Sequence, residues 1–140
     1  MLDLRKVVFR ALKGDAQLAA LVQDRIFQRS SLEEGIPPQQ IPYIVYHMNE
    51  SFGVGPTIIK AQRQSVQVWV HDVTGDYFRI DQILDRVKVV LEHLPEGNPA
   101  GFLGIRHLQY SPDLWDDLTK HIVRYGRFAA TMTQLGEADG

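Results

Sequence analysis

The residues able to do chemistry are few and scattered. Five histidines stand at positions 47, 71, 93, 107 and 121. None pairs with another at the short helical or loop spacing that holds a metal. His47 and His71 fall on two extended segments that could be neighbours, and in a suitable register they would meet. A two-histidine zinc site would still need a third ligand, and none is evident, so solvated or hydrogen-bonded imidazoles are the simpler reading. Asp116 and Asp117 are adjacent carboxylates. Neighbours on an extended chain point apart, which makes them a poor acid/base pair and a better source of turn charge. Gly53-Val54-Gly55 lacks the third glycine of a dinucleotide fingerprint and opens no helix. Neither GxSxG, HExxH, a Walker A loop nor an EF-hand loop occurs. The residues therefore indicate neither enzyme activity, nor a cofactor, nor a metal.

Arg124 and Arg127 alternate with Tyr125 and Phe128 in the manner of a nucleic-acid-binding strand. The chain as a whole carries a net charge of -2, whereas such domains are normally basic. Ordinary sheet decoration is the competing reading. Trp115, in a polar stretch beside the two aspartates, either packs over the end of a sheet or anchors a partner.

These side chains need elements to position them. A chain of 140 residues that is 44% hydrophobic suits one domain, residues 1–140, with a real core. Cysteine is absent, which excludes disulfides and thiolate metal sites. The opening MLDLRKVVFRAL has charges inside its apolar run and reads as neither a signal peptide nor a membrane span.

Leu4, Val8, Ala11 and Leu12 make one side of a helix over residues 2–12. Gly14 ends it, and Asp15 caps a short second helix over residues 16–22. Residues 24–27 turn into an extended piece, and residues 28–40, with Pro37-Pro38, read as a loop. IPYIVYHM (41–48) is a proline-led strand. Residues 49–61 read as a connection broken by Gly53, Gly55 and Pro56. Phe52, Val54, Ile58 and Ile59 make it apolar for a solvated loop, so it either contacts a partner or folds back on the body.

SVQVWVHDV alternates, with Val66, Val68 and Val70 on one face and Gln67, Trp69 and His71 on the other. Ile80, Ile83, Leu84, Val87, Val90, Leu91 and Leu94 then form a helical stripe, with Thr74 as the expected cap and Asp76 in the first turn. Residues 102–110 form a third strand, whose apolar parity changes between Ile105 and Leu108, the sign of a β-bulge. Residues 111–118 connect it to a long fourth strand over 119–133, where Gly126 marks a bend or a close approach. The tail 134–140 is polar. This order predicts an α+β domain. Its expected sheet is four-stranded and antiparallel, with helices packed on one face in α-β-β-α-β-β order.

The layout resembles the tail-terminator, or tail-completion, proteins of long-tailed bacteriophages, a family also found in prophages and phage-derived gene-transfer particles. The resemblance lies in LKGDAQLAALVQDRIF, IPYIVYHM, VQVWVHDVTGDYFRIDQILDRVKVVL and LQYSPDLWDDLTKHIVRYGRFAAT. His121, two residues after Thr119, sits where the family has a histidine opening its final strand. The alternation of Arg124, Gly126 and Arg127 with Tyr125 and Phe128 departs from the family's more apolar run.

The resemblance implies a non-enzymatic subunit of a ring, typically a hexamer. The ring caps the head-proximal end of the tail tube and ends its polymerisation. Its partners would be further copies of itself, the tail tube protein and the head–tail connector; DNA would pass through without specific binding, and no membrane is involved. The location is the virion tail, assembled in the bacterial cytoplasm. Candidate interface residues are Phe52, Gly53, Val54, Gly55, Pro56, Ile58, Trp115, Asp116, Asp117, Arg124 and Arg127. Asp116 and Asp117 are also candidates for facing the channel. Two alternatives stay open: another connector or head-completion protein, and a small ligand-binding or enzymatic domain.

Overall fold

The computed structural model describes residues 3–29, 41–53, 61–73, 77–97 and 100–133. Among these residues three helices, α1 (Leu4–Lys13), α2 (Ala16–Val22) and α3 (Phe78–Glu92), accompany six strands. The strands are β1 (Ile26–Gln28), β2 (Tyr43–Gly53), β3 (Ala61–Asp72), β4 (Phe102–Tyr110), β5 (Leu114–Asp116) and β6 (His121–Thr133). They form one mixed sheet in the order β1-β2-β3-β6-β4, with β5 also paired to β6.

The α+β class is as expected, but the four-stranded antiparallel sheet is corrected to six strands with one parallel pair. The two additions, β1 and β5, are three residues each. Segments that short carry no readable alternation, and their pairing uses backbone groups that every residue has. β1 lies parallel to β2, with Ile26 opposite Ile44. Parallel neighbours cannot be joined by a tight turn, and residues 29–42 separate the two strands in sequence.

The expected connection over 49–61 is shorter than predicted. β2 and β3 stay paired out to Gly53 and Gln62, across a register shift between Met48 and Ser51. Backbone pairing does not require apolar side chains, so the ladder runs on past the point where the hydrophobic pattern stops. Val54, Gly55, Pro56, Ile58 and Ile59 lie outside the described residues, as do Thr74 and Asp76. Tyr77 occupies the N-cap of α3 and makes no side-chain cap bond.

The alternation in β3 works as read. Val66, Val68 and Val70 are fully buried in the core against Ile80, Ile83, Leu84, Val87 and Leu91 of α3. Leu4, Val8 and Leu12 of α1 and Leu18 and Val22 of α2 close the same core. In β4 the register shifts between His107 and Gln109, the expected bulge, and again between Phe102 and Gly104. Gly126 is a close approach: a Cβ there would lie 3.1 Å from the Phe128 ring.

α2 is only seven residues, too short to hold itself. Asp15 secures it. Its carboxylate accepts from Leu18 N at 3.0 Å and from Arg86 Nε and Nη2 at 2.9 and 2.7 Å. One side chain thus caps α2 and clamps it to α3. Hydrogen bonding to Arg86, ahead of the opposing effect of burial, holds the Asp15 carboxyl below its ordinary value. Asp15→Ala is expected to cost about 1 kcal/mol for the cap, with loss of the Arg86 pair added to it. A thermal melt unchanged from wild type would refute that role.

Candidate functional site

Helices cover one face of the sheet. Alternation sends the other residues of β2, β3 and β6 to the opposite face. There the register aligns three rows across the strands. Tyr43, His71 and Val123 make the first, Val45, Trp69 and Tyr125 the second, and His47, Gln67 and Arg127 the third. Tyr43, Val45 and Val123 are buried although none of the described helices lies over them.

Tyr43 stacks on His71, with ring centroids 4.6 Å apart and planes at 9°. His121 meets both edge-on, at 5.8 Å from Tyr43 and 5.6 Å from His71. Trp69 leans on Tyr125 at 4.5 Å. Its indole N–H lies 3.1 Å from both His47 Nε2 and Gln67 Oε1. To accept that bond, His47 must be neutral with its proton on Nδ1.

His47 and His71 therefore do not meet. His47 stands opposite Gln67 and His71 opposite Tyr43, four residues further along the strand. His71 finds His121 instead. Among the described residues, no three His, Asp or Glu side chains are grouped to hold a metal.

A hollow of about 400 Å³ opens on this face. Val45, Trp69, Val123, Leu114 and Trp115 give it apolar lining, with His47, His71, Arg29 and Asp116 around it. Burial, helped by the nearby His121, lowers the His71 pKa to about 4, so the ring is neutral at pH 7. Burial alone would raise Asp116, but hydrogen bonding within its turn and the neighbouring His71 bring it below the usual carboxylate range. A neutral imidazole near an ionised carboxylate can accept a proton. The described lining offers no serine, threonine or lysine nucleophile for it to activate.

Asp116 and Asp117 separate as expected of an extended pair. Asp116 stands opposite His121 and accepts from Leu118 N at 3.0 Å. Asp117 accepts from the Trp115 indole at 3.0 Å. Trp115 is 47% exposed and Leu118 75% exposed. The turn after β5 thus presents apolar and acidic groups together.

Arg124 is tied inward. It pairs with Asp81 of α3, donates to the Ser111 carbonyl at 3.1 Å and lies 3.7 Å from Asp113. It joins β6, α3 and the lead-in to β5. Arg127 lies on the open face in the row of His47 and Gln67. Phe52 and Gly53 end β2; their side chains, with those of the rest of the apolar loop, are outside the description.

A second hollow, of about 730 Å³, was not legible in the sequence. It lies between α1 and the β1–β2 edge, lined by Asp3, Arg5, Lys6, Phe9, Arg10, Ile26, Gln28 and Tyr46. Arg5, Lys6 and Arg10 read as the solvated side of a helix. The only available signal was Phe9 standing among them.

No protein-family model and no curated protein matches the sequence. Among solved structures, the fold is similar to that of a chain in the virion of a native gene transfer agent particle. The TM-score is 0.69 at 15% sequence identity, over 90% of this chain and 91% of that one. A likeness at that identity establishes a common fold.

Proposed function

We propose that the chain is a structural subunit of a phage-like particle, acting as a tail terminator. In this reading its copies form a ring, hexameric in the family it resembles, at the head-proximal end of the tail tube. The ring stops tube polymerisation, meets the head–tail connector and lets DNA pass without specific binding. The carrying observation is the fold likeness to a virion chain, which extends over nearly the whole of both chains rather than one shared motif. The sequence phrases set out above point the same way independently.

The surfaces are compatible with assembly. A ring needs contacts between different patches that close on themselves. The exposed Trp115–Leu118 turn and the aromatic open face are candidates, with Phe52–Ile58 and Arg127 as further ones. Arg124 would act by holding β5 and its turn in place.

Electron microscopy of particles produced with and without the chain tests the reading. Overlong tubes are expected in its absence. Tails of normal length that fail to join heads would instead favour a connector. Unchanged particles would end both readings. The 400 Å³ hollow favours one rival, a small-ligand site, which would bind its ligand equally well in a monomer outside any particle.

A further inference from the structure

We infer that successive copies of this chain join head to tail, the Trp115–Leu118 turn of one copy seating in the groove between α1 and the β1–β2 edge of the next. This rests on the ring reading above and names the contact that would build the ring.

The two surfaces match in charge. Among the described residues the groove carries Arg5, Lys6 and Arg10 against Asp3, which pairs with Arg5. Asp116 and Asp117 lie in the turn, with Asp113, paired to Arg124, before it and Lys120 after it. They also match in chemistry. Phe9, Ile26 and Tyr46 supply apolar lining to the groove. Trp115 and Leu118 are two of the six large hydrophobic side chains exposed among the described residues, and Leu118 is the most exposed of them. Exposed apolar side chains rimmed by charge mark contact surfaces, and tryptophan is a favoured anchor at their centres. At about 730 Å³ the groove can take both side chains.

Their placement sets the symmetry. β1 is one edge of the sheet, while β5 joins the outer edge of β6, on the far side of β3. A head-to-tail contact leaves an open groove on one copy of a pair and an open turn on the other. It repeats, giving a ring if the rotation closes and a filament if it does not. In this arrangement Asp117 belongs to a subunit contact rather than to the channel wall.

The chain has no cysteine, so engineered thiols report cleanly. Arg10 and Leu118 are both exposed, and their replacement leaves the core intact. Three strand spacings separate β1 from β6, roughly 14 Å. A disulfide needs Cα atoms within about 7 Å, so with Arg10 on the helix beside β1 and Leu118 beyond β6 the link should form between copies, and a product of monomer mass would count against the contact. Mild oxidation of the Arg10→Cys/Leu118→Cys variant should give a ladder of covalent oligomers, whereas each single variant stops at a dimer. Absence of the ladder would overturn the contact.

Charge reversal gives a second readout. Lys6→Glu/Arg10→Glu and Asp117→Lys should each weaken self-association by about tenfold or more. An equimolar mixture should recover it, because the reversed groove fits the reversed turn. Variants that each assemble like wild type would also overturn the contact. Rings that form and cap tubes without this cross-link leave the terminator reading standing and this contact refuted. No ladder from the double-cysteine variant, together with tube lengths that do not depend on the chain, removes both.

Discussion

Phe128→Ala is expected to destabilise the chain by about 3–5 kcal/mol, the range for deleting a large buried aromatic. Phe128 is fully buried on β6, opposite Val66, with the His107 ring edge-on at 5.2 Å. The space it leaves cannot easily refill. One wall is the Gly126 backbone, with no side chain to move inward, and another is the paired β3 strand. Urea unfolding followed by circular dichroism measures the loss. A decrease below about 1 kcal/mol would show that the core relaxes around the gap. The consequence reaches assembly as well. β6 buries Phe128, Ala130 and Met132 on the helix side and carries Val123, Tyr125 and Arg127 on the open face. Loosening one face disturbs the rows on the other.

Acidification is expected to destabilise the fold through His71. Its pKa is about 4 in the folded chain, against 6.5 for an unperturbed histidine. Between those values the unfolded chain binds the extra proton and the folded chain does not, so stability falls as pH drops through that window. Below about 4 both states are protonated and this contribution stops changing. The loss is on the order of 2–3 kcal/mol after allowing for partial solvent access. Burial, to which the stacked Tyr43 ring contributes, then the neighbouring His121 and the charge of Arg29 keep the ring neutral, while Asp116 opposes them. His47 and His107 are lowered too, chiefly by burial, and add slope of the same sign. His71→Gln should flatten the acid limb of a stability–pH curve without abolishing it. A limb identical to wild type would show that His71 is not its source.

Much of this fold was legible because side-chain periodicity is a local property. The valine face of SVQVWVHDV and the stripe from Ile80 to Leu91 each declare one buried side, and both are buried as read. The bulge after Ile105 showed as a break in parity, and Gly14 and Asp15 marked a helix end and a helix start. The short strands were not legible, because three residues such as Leu114–Asp116 pair through backbone groups that every residue possesses. The hairpin arms beyond Met48 were missed for the same reason.

The candidate sites depended still more on long-range geometry. The sequence by itself determined a one-domain α+β chain, without thiol chemistry, whose core lies between one sheet and its helices. It also marked Trp115 and the two aspartates beside it as an unusual surface turn. Only the tertiary structure decided what those residues face. Strand register, summed along whole ladders, parted His47 from His71, brought His71 to His121 and turned Arg124 inward to Asp81. Packing of α1 against the sheet edge gathered Arg5, Lys6 and Arg10 with Ile26 and Tyr46, up to 41 positions away, into one groove. Periodicity reports which side of an element is buried; which residues of two distant elements meet is set by the packing of the whole chain.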